Sequence, residues 1–182
     1  TKVKGLFSKH LDKAGVLSSL FNSLASERVN VETARLRSNN DGTAVAFLTL
    51  EQDNGNVNNA IDFVNGTDQD TFLDLNYSEN IELPNFYGEG VYLYEMDGVD
   101  LKIALSSKMI LTKHENSPGV LLILLSALAS KNINIIDMRL GKRNKVGYSA
   151  LAIEGDSNVI RALLNKLGEQ YYEDNLVEFH SM

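Results

Sequence analysis

The chain has 182 residues, 43% of them hydrophobic, with a net charge of −7 and a pI near 4.9; that is enough apolar content for one medium or two small packed domains. Its Lys and Arg residues are scattered rather than massed, which argues against direct nucleic-acid binding, and the absence of cysteine excludes disulfides and thiolate metal sites. The longest apolar run, Val120 to Leu125, is far short of a membrane span, and no N-terminal stretch pairs a charged region with an apolar core, so the cytoplasm is the expected location.

Residues 2–9 read as a β-strand ending in a polar turn that closes at Gly15. A helix follows, its apolar positions Val16, Leu17, Leu20, Phe21 and Leu24 forming a one-sided stripe. After Asn30 the period switches to two, with Val31, Thr33 and Arg35 alternating against Glu32, Ala34 and Leu36. Asn40-Asp41-Gly42 is turn chemistry, and the run 44–50 completes a hairpin. Val57, Ala60, Ile61 and Val64 mark a second helix, and 71–77 a strand. Residues 81–107 are too long for a simple linker, and 90–103 reads as a hairpin turning at Asp97-Gly98 that should pack on a sandwich. The series then recurs. A strand at 108–113 leads through Pro118-Gly119 into a helix carrying Val120, Leu121, Leu124, Leu125 and Leu128. A strand follows from Asn134, with Ile135, Asp137 and Arg139 alternating against Ile136, Met138 and Leu140. A turn at 144–147, a strand at 148–153, a helix through Val159, Ala162, Leu163 and Leu167, and a strand at 176–180 complete it.

Sliding the chain by 104 positions superposes the halves. Lys9, His10, Gly15, Val16, Leu17, Leu20, Leu24, Asn30, Arg35 and Leu36 meet identical residues at Lys113, His114, Gly119, Val120, Leu121, Leu124, Leu128, Asn134, Arg139 and Leu140, and a one-residue gap later brings Glu51 opposite Glu154. Each half has the order β-α-β-β-α-β, so the expected architecture is α+β, two ferredoxin-like sandwiches at 1–80 and 108–182 joined by the hairpin-bearing segment 81–107. Where the first copy has Ser18 and Ser19 the second has Leu122 and Ile123. Its helix is apolar nearly all round and calls for cover on more than one side, by the hairpin, a second chain or a further domain.

No dinucleotide fingerprint, phosphate loop, HExxH pattern or Ser-His-Asp arrangement is present, and of the three histidines, His10, His114 and His180, two are repeat partners. No catalytic residue, metal ligand or cofactor is expected, and small molecules or other proteins are the expected partners. Taken alone, a His at a strand end reads as a solvated or capping residue and an Asn before a helix as its cap. Asn134 and Asn30 also suit a left-handed turn after a helix, Gly15 and Gly119 a purely conformational role, and Arg35 and Arg139 a surface or interface position.

The turn His114-Glu115-Asn116-Ser117-Pro118-Gly119-Val120-Leu121, followed by Asn132-Ile133-Asn134-Ile135, resembles the ACT domain, an amino-acid-binding regulatory module of metabolic enzymes. It is similar in particular to the C-terminal ACT domain of D-3-phosphoglycerate dehydrogenases and more loosely to that of iron–sulfur L-serine dehydratases. The likeness covers residues 108–182. Residues 2–80 resemble a more divergent copy, with Ala14 where the family prefers Pro; the alternative is the extra regulatory domain that precedes the ACT domain in some of those dehydrogenases. The resemblance implies serine, or another small amino acid, held between paired domains by His114, Asn116, Gly119, Val120 and Asn134, with His10, Asp12, Gly15 and Asn30 at the matching positions of the first copy. It also implies edge-to-edge pairing of sheets, within the chain or in a dimer, and control of an attached or associated enzyme. A stand-alone ligand-responsive partner, such as a transcriptional co-regulator, and a ligand-free dimerisation module are the competing readings. The residue types suit a zwitterion. The turn opens onto a helix N-terminus that favours a carboxylate, Asn116 and Asn134 both donate and accept, His114 can hydrogen-bond a hydroxyl or the carboxylate, and Asp12 would favour an ammonium.

Overall fold

The computed structural model describes residues 2–51, 55–67, 70–82, 91–175 and 178–181; the expected positions Gly90 and Leu176 lie outside them. In the first half the period-two pattern becomes β1 (Lys2–Leu11), β2 (Val31–Ser38), β3 (Thr43–Leu50) and β4 (Phe72–Glu82), with α1 (Val16–Ser26) and α2 (Gly55–Thr67) between them. The second half repeats the order as β7 (Met109–Glu115), α3 (Val120–Ser130), β8 (Asn134–Arg143), β9 (Val146–Glu154), α4 (Ser157–Asn175) and β10 (Glu178–Ser181). Between the halves lies the hairpin β5 (Tyr92–Met96) and β6 (Val99–Ala104), which turns at Asp97 and Gly98, both at positive φ as a two-residue hairpin turn requires.

The ten strands sort into one eight-stranded antiparallel sheet, order β10-β7-β9-β8-β2-β3-β1-β4, and the separate hairpin. Each half contributes four strands in the ferredoxin-like order. They join at a seam where Ala34 pairs with Leu140, Arg35 with Arg139, Leu36 with Met138 and Arg37 with Asp137. Arg35 and Arg139 are partners in the 104-residue repeat and also face each other across the seam, so the pairing is self-complementary in the way of a two-fold interface. Two strand edges that would otherwise be exposed are thereby closed within a single chain.

All four helices contribute to one face. The α1 stripe buries Leu20 and Leu24, the α3 stripe Leu124 and Leu128, and these share a continuous core with Leu36, Met138, Val64 and Leu164 that runs through both halves. Helices α1 and α3 pack side by side, Ser18 Oγ meeting Ser126 Oγ at 3.2 Å. Ser18 is thus accounted for by a neighbour in the other half.

On the opposite face the hairpin lays Val99, Leu101 and Ile103 over Met109, Tyr148 and Ala150. Close approach is possible because β8 has glycine at 141, where a Cβ would fall 2.6 Å from Val99 Cγ1 and 3.3 Å from the Asp100 carbonyl oxygen. The hairpin does pack on a sandwich, but it is not the cover for the extra apolar face of α3. Leu122 is instead half-buried toward the first half, and Ile123 and Ala127 line a groove shared with Leu163 and Leu167 of α4.

Candidate functional site

The two repeat turns lie on either side of the α1–α3 contact, and each forms a cleft with the other half of the chain. Helix α1 begins at Gly15 with φ 90° and α3 at Gly119 with φ 86°, a conformation that favours glycine. Neither N-terminus has a side-chain cap, so Asn116 is not the capping residue its position suggests. The turns are pinned through their backbones, Asp12 N–H donating to the Gly42 carbonyl at 3.0 Å and Asn116 N–H to that of Lys145 at 2.8 Å.

The first cleft, ≈ 320 Å³ with its open mouth, is lined by His10, Asp12, Gly15 and Val16 from one half and by Ile133 and Asn134 from the other. The second, ≈ 340 Å³, is lined by His114, Asn116, Pro118 and Gly119 together with Val29 and Asn30. The matched asparagines have therefore changed places. Asn134 Nδ2 donates to Asp12 Oδ1 at 2.8 Å, and Asn30 Nδ2 to Asn116 Oδ1 at 3.0 Å and to Glu51 Oε2 at 3.1 Å. His114 and Asn116 are grouped with Asn30, not with Asn134, and Val120 does not line the cleft it follows. The left-handed residues after α1 and α3 are Arg28 and Asn132, so Asn30 and Asn134 do not serve that turn.

Both histidines are core residues rather than solvated ones, His10 being 2% and His114 5% exposed. They project from β1 and β7 on the helix side of the sheet. Each has Nδ1 engaged by the hydroxyl two residues earlier: Ser8 Oγ at 2.7 Å from His10, and Thr112 Oγ1 at 3.1 Å from His114, with Thr112 also bonded to Ser149. Nε2 of either ring makes no hydrogen bond among the described residues. His10 packs on Phe72, ring centroids 5.7 Å apart. Burial lowers both rings to a pKa of about 4, with Asp12 pulling His10 partly back, so both are neutral near pH 7. A neutral imidazole has one donor and one acceptor nitrogen, and since the paired hydroxyl can donate to Nδ1 or accept from it, the tautomer decides which nitrogen carries the proton.

Neither a known family model nor a curated protein matches the chain. Among solved structures it is similar to an aspartate kinase from Synechocystis at 18% identity and TM-score 0.53, over 93% of this chain and 26% of that one. The chain thus spans about a quarter of the kinase's length. A protein from Bacteroides thetaiotaomicron (14% identity, 99% and 92% coverage, TM-score 0.33) and a putative glycine cleavage system transcriptional repressor (10% identity, 98% and 97% coverage, TM-score 0.35) are more distant. The fold is the ferredoxin-like, ACT-type α+β sandwich.

Four residues bonded to or packed on cleft residues, none of them lining a cleft, were not expected as site residues from the sequence. Ser8 and Thr112, 104 apart and each two before a repeated His, form a detectable pattern. Glu51 is reachable only through the hydrogen bond to Asn30. Gly147 seats the His114 ring: a Cβ there would lie 2.5 Å from Nε2. Gly147→Ala should cost about 1–3 kcal/mol through overpacking and shift the ring resonances of His114 while leaving those of His10 in place. Unmoved His114 signals would show that the ring does not rest on this glycine.

Among the described residues no cluster of three or more His, Asp or Glu is placed to hold a metal ion, and no helix is long and apolar enough to cross a membrane.

Proposed function

We propose that this chain is an amino-acid-binding regulatory module, its two ACT-type units taken as residues 1–80 and 108–182, and that the ligand is serine or another small amino acid. The observation that carries the reading is the cross-half construction of each cleft, with a buried neutral His and a turn residue from one unit and an Asn from the other. In the His114 cleft a zwitterion meets donors for its carboxylate in the Asn amides and the uncapped helix N–H groups, and an acceptor for its ammonium in Asn116 Oδ1, with Glu51 bonded to Asn30 beside it. Because it touches both units, its binding free energy depends on how they are disposed about the seam, which is what a regulatory ligand requires. The likeness to part of an aspartate kinase supports a place for such a unit beside an enzyme of amino-acid metabolism. The regulated enzyme is proposed to be phosphoglycerate-dehydrogenase-like, with the catalytic machinery outside these residues.

The enclosed part of each cleft has room for about one water molecule, and the protein's own amides bridge both. That favours one second reading, a ligand-free pairing module. A thermal-shift screen of the twenty amino acids separates the two, since a ligand of the native state raises Tm by mass action. Serine or glycine should stabilise, and His114→Ala and Asn116→Ala should remove most of the shift. No response to any amino acid leaves the pairing module.

A further inference from the structure

We infer that only one of the two clefts takes the amino acid: the His114 cleft is the zwitterion site, and the His10 cleft is clasped shut by Asp12, whose carboxylate already holds the Asn134 amide that a ligand carboxylate would need. This rests on the amino-acid-binding reading above and specifies its stoichiometry.

The clefts match in backbone and differ in charge. In the His10 cleft an acidic side chain fills the turn position, close to the uncapped start of α1, where negative charge is favoured. Asp12 already receives the amide of Asn134 at 2.8 Å, a bond strengthened by the charge on its acceptor. A ligand carboxylate entering here has to displace that bond and lie beside a second carboxylate, in a cleft partly lined by Val16, Leu36 and Ile133. Lys13 is on the rim of this cleft and Glu115 on the rim of the other, and both are exposed.

The His114 cleft has the neutral amide of Asn116 at the same position. Its bridge, Asn30 to Asn116, is a neutral bond at 3.0 Å, and Asn30 shares the same Nδ2 with Glu51. Both groups of a zwitterion are provided for: the Asn amides and the first turn of α3 can take the carboxylate, while Asn116 Oδ1 can take the ammonium, with the Glu51 carboxylate next to it through its bond to Asn30. In the other half Asn134 gives its amide to Asp12 rather than to Glu154, its neighbour in register, so no second carboxylate is recruited there. A ligand in the His114 cleft replaces the weaker bridge and leaves the Asp12–Asn134 clasp as the fixed side of the seam.

The test is isothermal titration of the full chain with L-serine, or with the strongest stabiliser of the thermal screen if serine is silent, alongside NMR of the two buried imidazoles. One equivalent per chain is expected, with His114 resonances moving and those of His10 staying. Asp12→Asn, isosteric and able to keep the bond to Asn134, should raise the stoichiometry to two. Two equivalents in the unmodified chain, a single equivalent that moves His10, or an Asp12→Asn variant that stays at one each overturn the clasp. Absence of binding by all twenty amino acids overturns the amino-acid reading itself, a result readily told apart from a wrong stoichiometry.

Discussion

Acidification from pH 6.5 to 4 should destabilise the chain by several kcal/mol, with the two buried histidines as the main cause. Each ring has an ordinary pKa of 6.5 when unfolded and about 4 when folded, because burial disfavours its charged form. Between those values the unfolded chain binds a proton that the folded chain does not. Stability contributed by each ring is therefore complete above pH 6.5 and lost as pH falls toward 4. At about 1.4 kcal/mol per unit the loss is about 3 kcal/mol per ring. Asp137 works the other way. Burial raises its carboxyl from 3.8 to about 6 against the pull of Arg139 and Arg37. Its contribution is complete below 3.8 and lost as pH rises through 6, so acidification returns about 3 kcal/mol. The net loss of roughly 3 kcal/mol is a large share of the about 5–15 kcal/mol that holds a domain folded. Urea midpoints measured from pH 7.5 to 4.5 check this, and His10→Gln and His114→Gln should each flatten the slope. Equal slopes in both variants and the unmodified chain would refute the assignment.

How far the sequence reaches is visible in the same residues. The β-α-β-β-α-β order, the hairpin at Asp97-Gly98 and the core stripes were all legible, because period and turn chemistry are local signals. So was the recurrence of His, Gly and Asn at 104 residues. The exchange of partners was not: Asn30 serves His114 and Asn134 serves His10 because the units meet through β2 and β8 with α1 beside α3, and no local pattern encodes which strand edge is chosen. Burial of the two histidines was missed for a related reason. A His at the end of a strand is usually wet; here the neighbouring helix closes over the turn, and the one sequence clue is a hydroxyl two residues upstream that can satisfy Nδ1. The interface place of Arg139 was open from its repeat position, but its near-complete burial was not, since an Arg in an alternating strand reads as an outward residue unless a second layer, here the hairpin of the 99–104 strand, lies over β8.

Arg139→Met should be the most damaging single substitution on the seam. The guanidinium is 2% exposed, and its Nη1 lies 2.6 Å from Asp137 Oδ1, 2.8 Å from the Met138 carbonyl and 3.2 Å from the Leu36 carbonyl across the seam. Removing it strands a carboxylate that is itself only 14% exposed, and breaking a buried pair from one side costs about 3–5 kcal/mol. Two features distinguish this from simple loss of packing. Without Arg139 the Asp137 carboxyl rises further, so the deficit should shrink on acidification, where a protonated Asp137 no longer carries an uncompensated charge. Adding Asp137→Leu to Arg139→Met should recover most of the stability at pH 7, since an apolar replacement of a buried pair is often neutral. A deficit below about 1 kcal/mol, or one unchanged by pH and by the second substitution, would mean that the pair is not coupled. The pair's contribution lies in register. A one-residue slip of β8 against β2 would turn Arg139 and Asp137 into the helix-side core and carry Met138 and Leu140 out of it. The charged pair makes that alternative prohibitively costly, and it is the register of this seam that places each Asn opposite the turn it bridges.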